Sequence, residues 1–301
     1  MTAFATTVGG KRLKLTNLDK LLYPDAGFTK SGVIDYYTRI APAMLKHLAS
    51  RPVSLKRYPN GVNEKFFFQK NAPDHRPPWV KTVAVHSEVR GEDIDYIIVS
   101  TRATLVWLAN LAALEIHTYL GKSPNLMRPT VMVFDMDPGA PAGLLEAMQI
   151  AVMFRDFLSH AGLDSYAKTS GGKGVHVYVP LNSAVTYDQT KRFAREVALV
   201  LEQKYRGRIT SNMRKDLRTG KVFIDWSQND DHKTTACAYT LRAHARPTVS
   251  TPVTWDEIEE AIKRRKPESL VFEAPAVLER VDRLGDLFEP VLTQRQRLPS
   301  V

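Results

Sequence analysis

Cysteine is all but missing. Cys237 stands alone among 301 residues, which excludes an internal disulfide and any zinc site built on a cysteine cluster. Its neighbours alternate like a strand, so a small buried apolar role is expected for it. Long apolar runs are missing as well. No stretch approaches the length of a membrane span, and Met1-Thr2-Ala3-Phe4 lacks the basic start and apolar run of an export signal, so the reading is a cytoplasmic protein with no membrane partner. Neither an internal repeat nor a Gly/Ser-rich linker marks a boundary, so one domain over 1–301 is expected, with 1–15 and 291–301 as tails. Acidic residues are the scarcer charge, 32 against 42 Lys plus Arg, and the net +10 suits a polyanion such as nucleic acid or nucleotide, though many basic proteins are merely soluble.

What is present is globular. Hydrophobic residues make up 44% of the chain, enough for one large core or two modest ones. Periodicity predicts a capped turn over 16–24 ended by Pro24, a helix from Val33 through Leu48 and a strand over 51–58. A proline-rich loop follows at 73–78, then strands within 81–100, a buried helix over 102–113 and a strand over 114–119. Alternation in the last puts Glu115, His117 and Tyr119 on one face, with Leu114 and Ile116 on the other. Beyond the strand at 131–134, a helix is expected over 143–160, strand-loop-strand over 165–179, a helix over 188–205 and strands over 221–226 and 235–242. Helices near 254–264 and 276–284 close the chain. Strands and helices mix without regular βαβ repetition, which points to an α+β, sheet-centred fold.

Three segments carry chemistry. Val131-Met132-Val133-Phe134 runs into Asp135-Met136-Asp137-Pro138-Gly139, so Asp135 and Asp137 share a strand face and can reach one divalent cation. A solvated turn is the alternative. Thr169-Ser170-Gly171-Gly172-Lys173-Gly174-Val175-His176 is a glycine-rich loop entering a strand. Its amides, the Ser170 hydroxyl and the Lys173 ammonium suit phosphate oxygens, but G-x-x-x-x-G-K-[ST] spacing is absent and a plain hairpin turn reads equally well. Lys221-Val222-Phe223-Ile224-Asp225-Trp226 places a third carboxylate within an apolar strand, costly unless it is paired or bound to metal. Three aspartates around one or two Mg2+ or Mn2+ ions fit a hard-cation oxygen site suited to nucleotidyl transfer. Lys56, Lys173, Arg218, Lys233 and Arg242 stand in strand or loop contexts beside acidic residues and are candidates to hold phosphates; each taken singly is equally a solvated surface charge.

In order along the chain, LDKLLYP with TKSG, RPVSLKRYPNG, FFFQK, LEIH, VFDMDPG, TSGGKGVHVY, SNMRKDLRTGKVFIDWSQN and KTTACAYTLR resemble the polymerase domain of bacterial ligase D, in the archaeo-eukaryotic primase superfamily. The resemblance implies a primase-polymerase fold with an RRM-like antiparallel sheet core flanked by helices and an N-terminal αβ module. It implies two catalytic Mn2+ or Mg2+ ions on Asp135, Asp137 and Asp225, and triphosphate contacts from Ser170, Lys173 and His176. Lys56, Arg218 and Arg242 would support phosphates or carboxylates, with Lys233 in the same nucleotide-binding set and His117 near the sugar. Lys20 and Lys30 match the family's pocket for a downstream 5′-phosphate, while Phe67 and Phe68 match its DNA-stacking aromatics. Of Phe66, Phe67 and Phe68, one is expected to pack inward.

Two departures stand out: no tryptophan follows shortly after Glu115-Ile116-His117, and Cys237-Ala238 replaces Ala-Pro before Tyr239. The ligase pattern K-x-D-G is absent, so the chain is expected to be a stand-alone relative or an excised domain. The resemblance implies a monomeric, nucleoid-associated repair polymerase acting on gapped or double-strand-broken DNA with NTPs in preference to dNTPs. It would serve end joining or short-gap excision repair beside a separate ATP-dependent DNA ligase and Ku. A primer-independent primase and a non-catalytic DNA-end-binding module are the alternatives.

Overall fold

Gly9 and Gly10 adopt positive φ, 53° and 74°, and turn strand β1 (Ala3–Val8) back onto β2 (Lys11–Thr16). The tail expected over 1–15 is therefore a hairpin, with Leu13 and Leu15 buried. The computed structural model describes residues 3–88 and 91–299, so positions 1–2 and 300–301 of the expected tails lie outside the described residues. The chain divides into two units, one of residues 1–119, 236–249 and 273–285, the other of 120–235, 250–272 and 286–301. Neither is continuous in sequence, so no single linker could have marked a boundary.

In the first unit β3 (Leu21–Tyr23) and β4 (Phe28–Thr29) form a short ladder around a turn at Pro24–Ala26, where a capped turn alone was expected. Helix α1 (Lys30–Leu48) begins where the Thr29 hydroxyl accepts from Gly32 N at 3.3 Å, and buries Val33, Tyr36, Tyr37, Ile40 and Met44 at helical spacing. Strands β5 (Pro52–Arg57), β6 (Phe67–Gln69), β7 (Lys81–Ser87) and β8 (Glu92–Ile98) precede α2 (Arg102–Asn110) and β9 (Ala113–Thr118). They pair antiparallel in the order β9–β5–β8–β7, with β6 also on β5. Leu114 and Ile116 of β9 have no exposed surface, while Glu115 and His117 take the other face, as the alternation predicts.

The second unit opens with β10 (Gly121–Lys122) and β11 (Asn125–Pro129), then the central strand β12 (Val131–Pro138). Helix α3 (Leu144–His160), β13 (Tyr166–Thr169), β14 (Val175–Pro180), α4 (Tyr187–Lys204), β15 (Ile209–Thr210) and β16 (Val222–Asp225) follow. The chain leaves through β17 (Thr235–Ala236) and returns for β18 (Pro252–Val253) and α5 (Trp255–Arg264). The sheet runs β15–β16–β12–β14–β13–β18, antiparallel except at β15–β16. Met132, Phe134, Met136, Val175, Val177, Val222 and Ile224 point to one face and pack with Met148, Ala151 and Phe154 of α3 and with Phe193 and Val197 of α4. Period-2 alternation then sends Asp135, Asp137, His176 and Asp225 to the opposite face. The segment around Gln294 and Gln296 is tied down: Gln296 N donates to Leu181 O at 3.0 Å, and Asn182 Nδ2 to Gln294 O at 2.7 Å.

The strand expected over 235–242 stops at Ala236. Tyr239 takes φ of 67°, which ends alternation, and its carbonyl accepts from Tyr36 Oη at 2.8 Å. Cys237 is buried there, with its amide donating to Ile116 O at 3.0 Å.

Candidate active site and basic pocket

Strand register in the second unit lines up four ionisable side chains in one row. Lys168 on β13 faces His176 on β14, His176 faces Asp135 on β12, and Asp135 faces Asp225 on β16. The neighbouring row sets Asp137 opposite Phe223. His176 Nε2 lies 3.3 Å from Asp135 Oδ1, and Lys173 Nζ lies 3.5 Å from Asp137 Oδ1 while donating to Pro138 O at 2.7 Å. The Arg218 guanidinium lies 3.6 Å from the Phe223 ring centroid and donates through Nη2 to Met213 O at 2.7 Å, leaving its buried Nε without a hydrogen-bond partner. His176 and the three aspartates thus belong to one face of one sheet, with Lys173 beside Asp137 and Arg218 against Phe223.

The strand carrying Asp135 and Asp137 runs on through Pro138, so Pro-Gly ends it later than the apolar run suggests. Gly139 has its own reason. A Cβ built there would stand 2.1 Å from the carbonyl oxygen of Arg218, so only glycine lets the 216–221 segment close against the end of β12. Gly139→Ala is expected to cost about 1–3 kcal/mol, read by denaturant unfolding, and to displace Arg218.

Asp225 is well satisfied by protein donors. Its Oδ1 accepts from Ser227 N at 3.0 Å and Ser227 Oγ at 2.5 Å, and its Oδ2 from Gln228 Nε2 at 2.9 Å. Lys233 donates to the Ser227 hydroxyl and so acts on Asp225 through one intermediary. Asn229 holds this turn against the sheet, accepting from Val133 N at 2.8 Å and donating to Val133 O at 2.7 Å. Ser227, Gln228 and Asn229 were not singled out in the sequence. The cap spacing after Asp225 was the available signal.

The carboxylates fit a hard cation in donor type, and one feature argues for it: Asp135 and Asp225 are like charges directly across a strand pair, unfavourable without a cation. Among the described residues, the oxygens of Asp135, Asp137 and Asp225 nonetheless do not all come within 4.8 Å of one another. Among the described residues, the group whose donor atoms all lie within 4.8 Å of one another is Asp230, Asp231 and His232, a possible metal-binding set that the sequence reading did not single out. Lys191 already pairs with Asp230, and His232 Nδ1 lies 2.6 Å from it. Burial pushes the Asp230 carboxyl up, but the Lys191 hydrogen bond and the His232 charge outweigh it and leave the group below its ordinary range.

The first unit carries a second cluster. Glu115 is buried, 3% exposed, and its carboxylate gathers Lys56 Nζ at 3.3 Å, His117 Nε2 at 2.9 Å, Arg242 Nε at 3.4 Å and the Ala243 amide at 3.2 Å. Burial alone would raise its pKa; the His117 hydrogen bond and the charges of Arg242, His117 and Lys56 drive it far below the usual carboxylate range. His117 moves down instead, because burial disfavours its charged form more than Glu115 favours it. Lys56, His117 and Arg242 are therefore brought together by Glu115, whose face follows from strand alternation and whose role as their common partner does not. The Lys56 ammonium also lies 4.6 Å from the Phe66 ring, 5.6 Å from Tyr58 and 5.7 Å from Phe68.

Lys20 and Lys30 meet close by in sequence and in space. Lys20 Nζ donates to Asn60 Oδ1 at 2.7 Å, Lys30 Nζ to Thr16 O at 2.6 Å, and Lys30 N to Lys20 O at 2.8 Å. Burial, then the like charges of Lys20 and Arg57, lowers the Lys30 pKa to about 8. Arg57, which the sequence reading left aside, lies 5.0 Å from the Phe67 ring. Phe66, Phe67 and Phe68 are 46%, 45% and 62% exposed. No member of the run packs fully inward, contrary to expectation; Phe66 instead stacks on Tyr58 at 5.2 Å.

The family model for the LigD primase-polymerase domain matches residues 29–288. The multifunctional non-homologous end joining protein LigD of Mycolicibacterium smegmatis is 41% identical over 283 residues, covering 93% of this chain and 36% of that protein. The bifunctional non-homologous end joining protein LigD of Bacillus subtilis is 30% identical over 275 residues, covering 91% of the chain and 43% of its own length. The chain thus spans well under half the length of these relatives. Among solved structures, the polymerase domain from Mycobacterium tuberculosis ligase D in complex with DNA superposes with a TM-score of 0.87 at 39% identity, over 93% of this chain and 98% of that one. Sheet architecture and matches together define a nucleotidyltransferase of the primase-polymerase class. The chain belongs to the LigD primase-polymerase domain family. Among the described residues no helix is long and apolar enough to cross a membrane.

Proposed function

We propose that this chain is a template-dependent DNA repair polymerase that adds one or a few nucleotides, NTPs in preference to dNTPs, to a primer 3′-hydroxyl at gaps or broken ends. The observation that carries the reading is the row in which Asp135 faces Asp225 on one side and His176 on the other. Asp135, Asp137 and Asp225 would hold two Mn2+ or Mg2+ ions, which when bound supply acidification of the attacking hydroxyl and neutralisation of the leaving diphosphate. Lys173, Arg218 and His176 supply donors to triphosphate oxygens, and Ser170 keeps the loop closed by accepting from Gly172 N at 3.3 Å and Gly174 N at 3.1 Å. Lys233 steadies Asp225 through Ser227. In the first unit, Lys56 and Arg242 offer phosphate contacts, and His117 a sugar contact.

The Lys20 and Lys30 ammoniums with Arg57 repel one another, and a DNA 5′-phosphate relieves that repulsion. The exposed Phe67 and Phe68 rings suit stacking on neighbouring bases. Filling a gap leaves a nick, so the reaction calls for a DNA ligase activity after it.

Extension of one primer across gaps of several lengths, with 5′-phosphate or 5′-hydroxyl downstream ends and NTPs or dNTPs, tests the reading. Replacing Lys20 and Lys30 by alanine should erase the advantage of the phosphate; an undiminished advantage places the pocket elsewhere. Product from NTPs on bare single-stranded template would favour the primase reading instead. The pocket also sets a pH dependence. Lys30 binds phosphate in its charged form and titrates near pH 8, so affinity for 5′-phosphorylated DNA should weaken by up to about tenfold per unit as pH rises above that value. DNA with a 5′-hydroxyl should show a flat profile over the same range.

A further inference from the structure

Lys168 has no exposed surface at all, and taking an ammonium out of water is costly, so its contacts must justify its place. Its Nζ donates to Ser250 Oγ at 2.6 Å and lies 3.2 Å from His176 Nδ1 and 5.6 Å from the Tyr178 ring. Ser250 spends its own proton on Thr169 O at 3.0 Å, so the hydroxyl meets Lys168 with a lone pair. On the other edge of the ring Nε2 lies 3.3 Å from Asp135 Oδ1, and a carboxylate only accepts, so the ring proton sits on Nε2 and Nδ1 is left to accept from Lys168. The Tyr178 ring lies nearly parallel beside it, with centroids 6.5 Å apart and planes 9° apart.

We propose that Lys168, itself anchored by Ser250, is a positioning residue that locks the His176 ring as the Nε2–H tautomer and aims that donor at the aspartate row. The strand register supports it, since Lys168, His176, Asp135 and Asp225 are successive cross-strand neighbours and a shift of one residue would break every link. The function of the aimed donor rests on the reading of His176 as a triphosphate contact; the tautomer does not.

Two variants of the full chain test this. Lys168→Met keeps most of the stem and replaces a buried charge by an apolar group, a change that buried sites commonly tolerate. Ser250→Ala removes one hydroxyl and serves should the first fail to fold. The readout is the imidazole 15N spectrum at a pH where histidines are neutral, with the His176 signals identified by their loss in His176→Gln. The unsubstituted protein should show the Nε2–H form, and both variants a mixture or the other tautomer. In steady-state gap filling, Lys168→Met should raise the nucleotide KM about tenfold while kcat falls by less, the size seen when partners that orient a functional histidine are removed. An Nδ1–H tautomer in the unsubstituted protein, or a spectrum unchanged in Lys168→Met and Ser250→Ala, overturns the proposal. If His176→Gln keeps the nucleotide KM while the tautomer still follows Lys168, the positioning stands and the triphosphate role of His176 falls.

Discussion

Asp135→Asn is expected to lower nucleotide addition by about a thousandfold or more while leaving the folded chain as stable as the parent, or slightly more so. The two halves of that result have one cause. Asp135 faces Asp225 across an antiparallel strand pair, so the free protein carries the repulsion of two carboxylates that side by side would share a cation. Asparagine keeps the shape and relieves the repulsion. It also deletes one anionic ligand from the set that the proposed mechanism needs, and the remaining Asp137 sits in the next row. Thermal unfolding and single-nucleotide extension on the same preparation separate the effects. Activity within tenfold of the parent would remove Asp135 from the catalytic set, and a large loss of stability would mean that Asp135 is a structural partner of His176 rather than a ligand held in waiting.

Asp225 sharpens the contrast. An aspartate in an apolar strand suggests a group in need of a metal, yet Ser227 and Gln228 already satisfy both oxygens through a local cap. Asp225→Ala is therefore expected to cost stability as well as activity, by about 1–2 kcal/mol for the lost cap. A matched pair of melting curves would show a drop for Asp225→Ala and no drop for Asp135→Asn.

Faces were legible in the sequence wherever alternation was regular, and partners were not. Period 2 along Val131–Asp137 and Val222–Asp225 is enough by itself to put the carboxylates on the polar side of each strand. What periodicity cannot supply is register across the sheet: nothing local says that β12 lies between β14 and β16, and that order turns three separated motifs into one row. The same holds for Glu115. Its face was evident, but Lys56 is 59 residues away in sequence and meets it only through β5–β9 pairing. Two local misses have local causes. Gly9-Gly10 between alternating segments is a hairpin signal that is easily passed over among basic residues, and the strand expected through 242 ends early because Tyr239 adopts a left-handed conformation that no pattern announces. The Phe run misled in a different way. Three adjacent aromatics suggest a core, whereas these rings are spread over Lys56, Arg57 and Tyr58 and stay open to solvent.

Glu115→Ala should produce the largest change in stability of any single substitution considered, about 3–5 kcal/mol, because it leaves Lys56 and Arg242 facing each other in a buried setting with no counter-charge. Glu115→Gln keeps an acceptor for the Ala243 amide and is expected to fall between parent and alanine. The pH dependence carries the same signature. The folded-state pKa of Glu115 is depressed far below the value of an unfolded glutamate, so its contribution is fully present above the unfolded pKa. It is lost as pH falls toward the depressed folded value. The difference in unfolding free energy between the parent and Glu115→Gln should thus be constant near neutrality and shrink in acid. A gap that widens in acid would mean that Glu115 is held by burial alone. Under the proposed function, in which Lys56 and Arg242 contact phosphates, nucleotide affinity gives a second reading: loss of Glu115 would free the Lys56 ammonium and the Arg242 guanidinium, raising electrostatic attraction for triphosphate while their orientation is lost. If positioning dominates, Glu115→Gln weakens nucleotide binding in spite of its added positive charge, whereas tighter binding would show that Glu115 restrains these cations rather than aiming them.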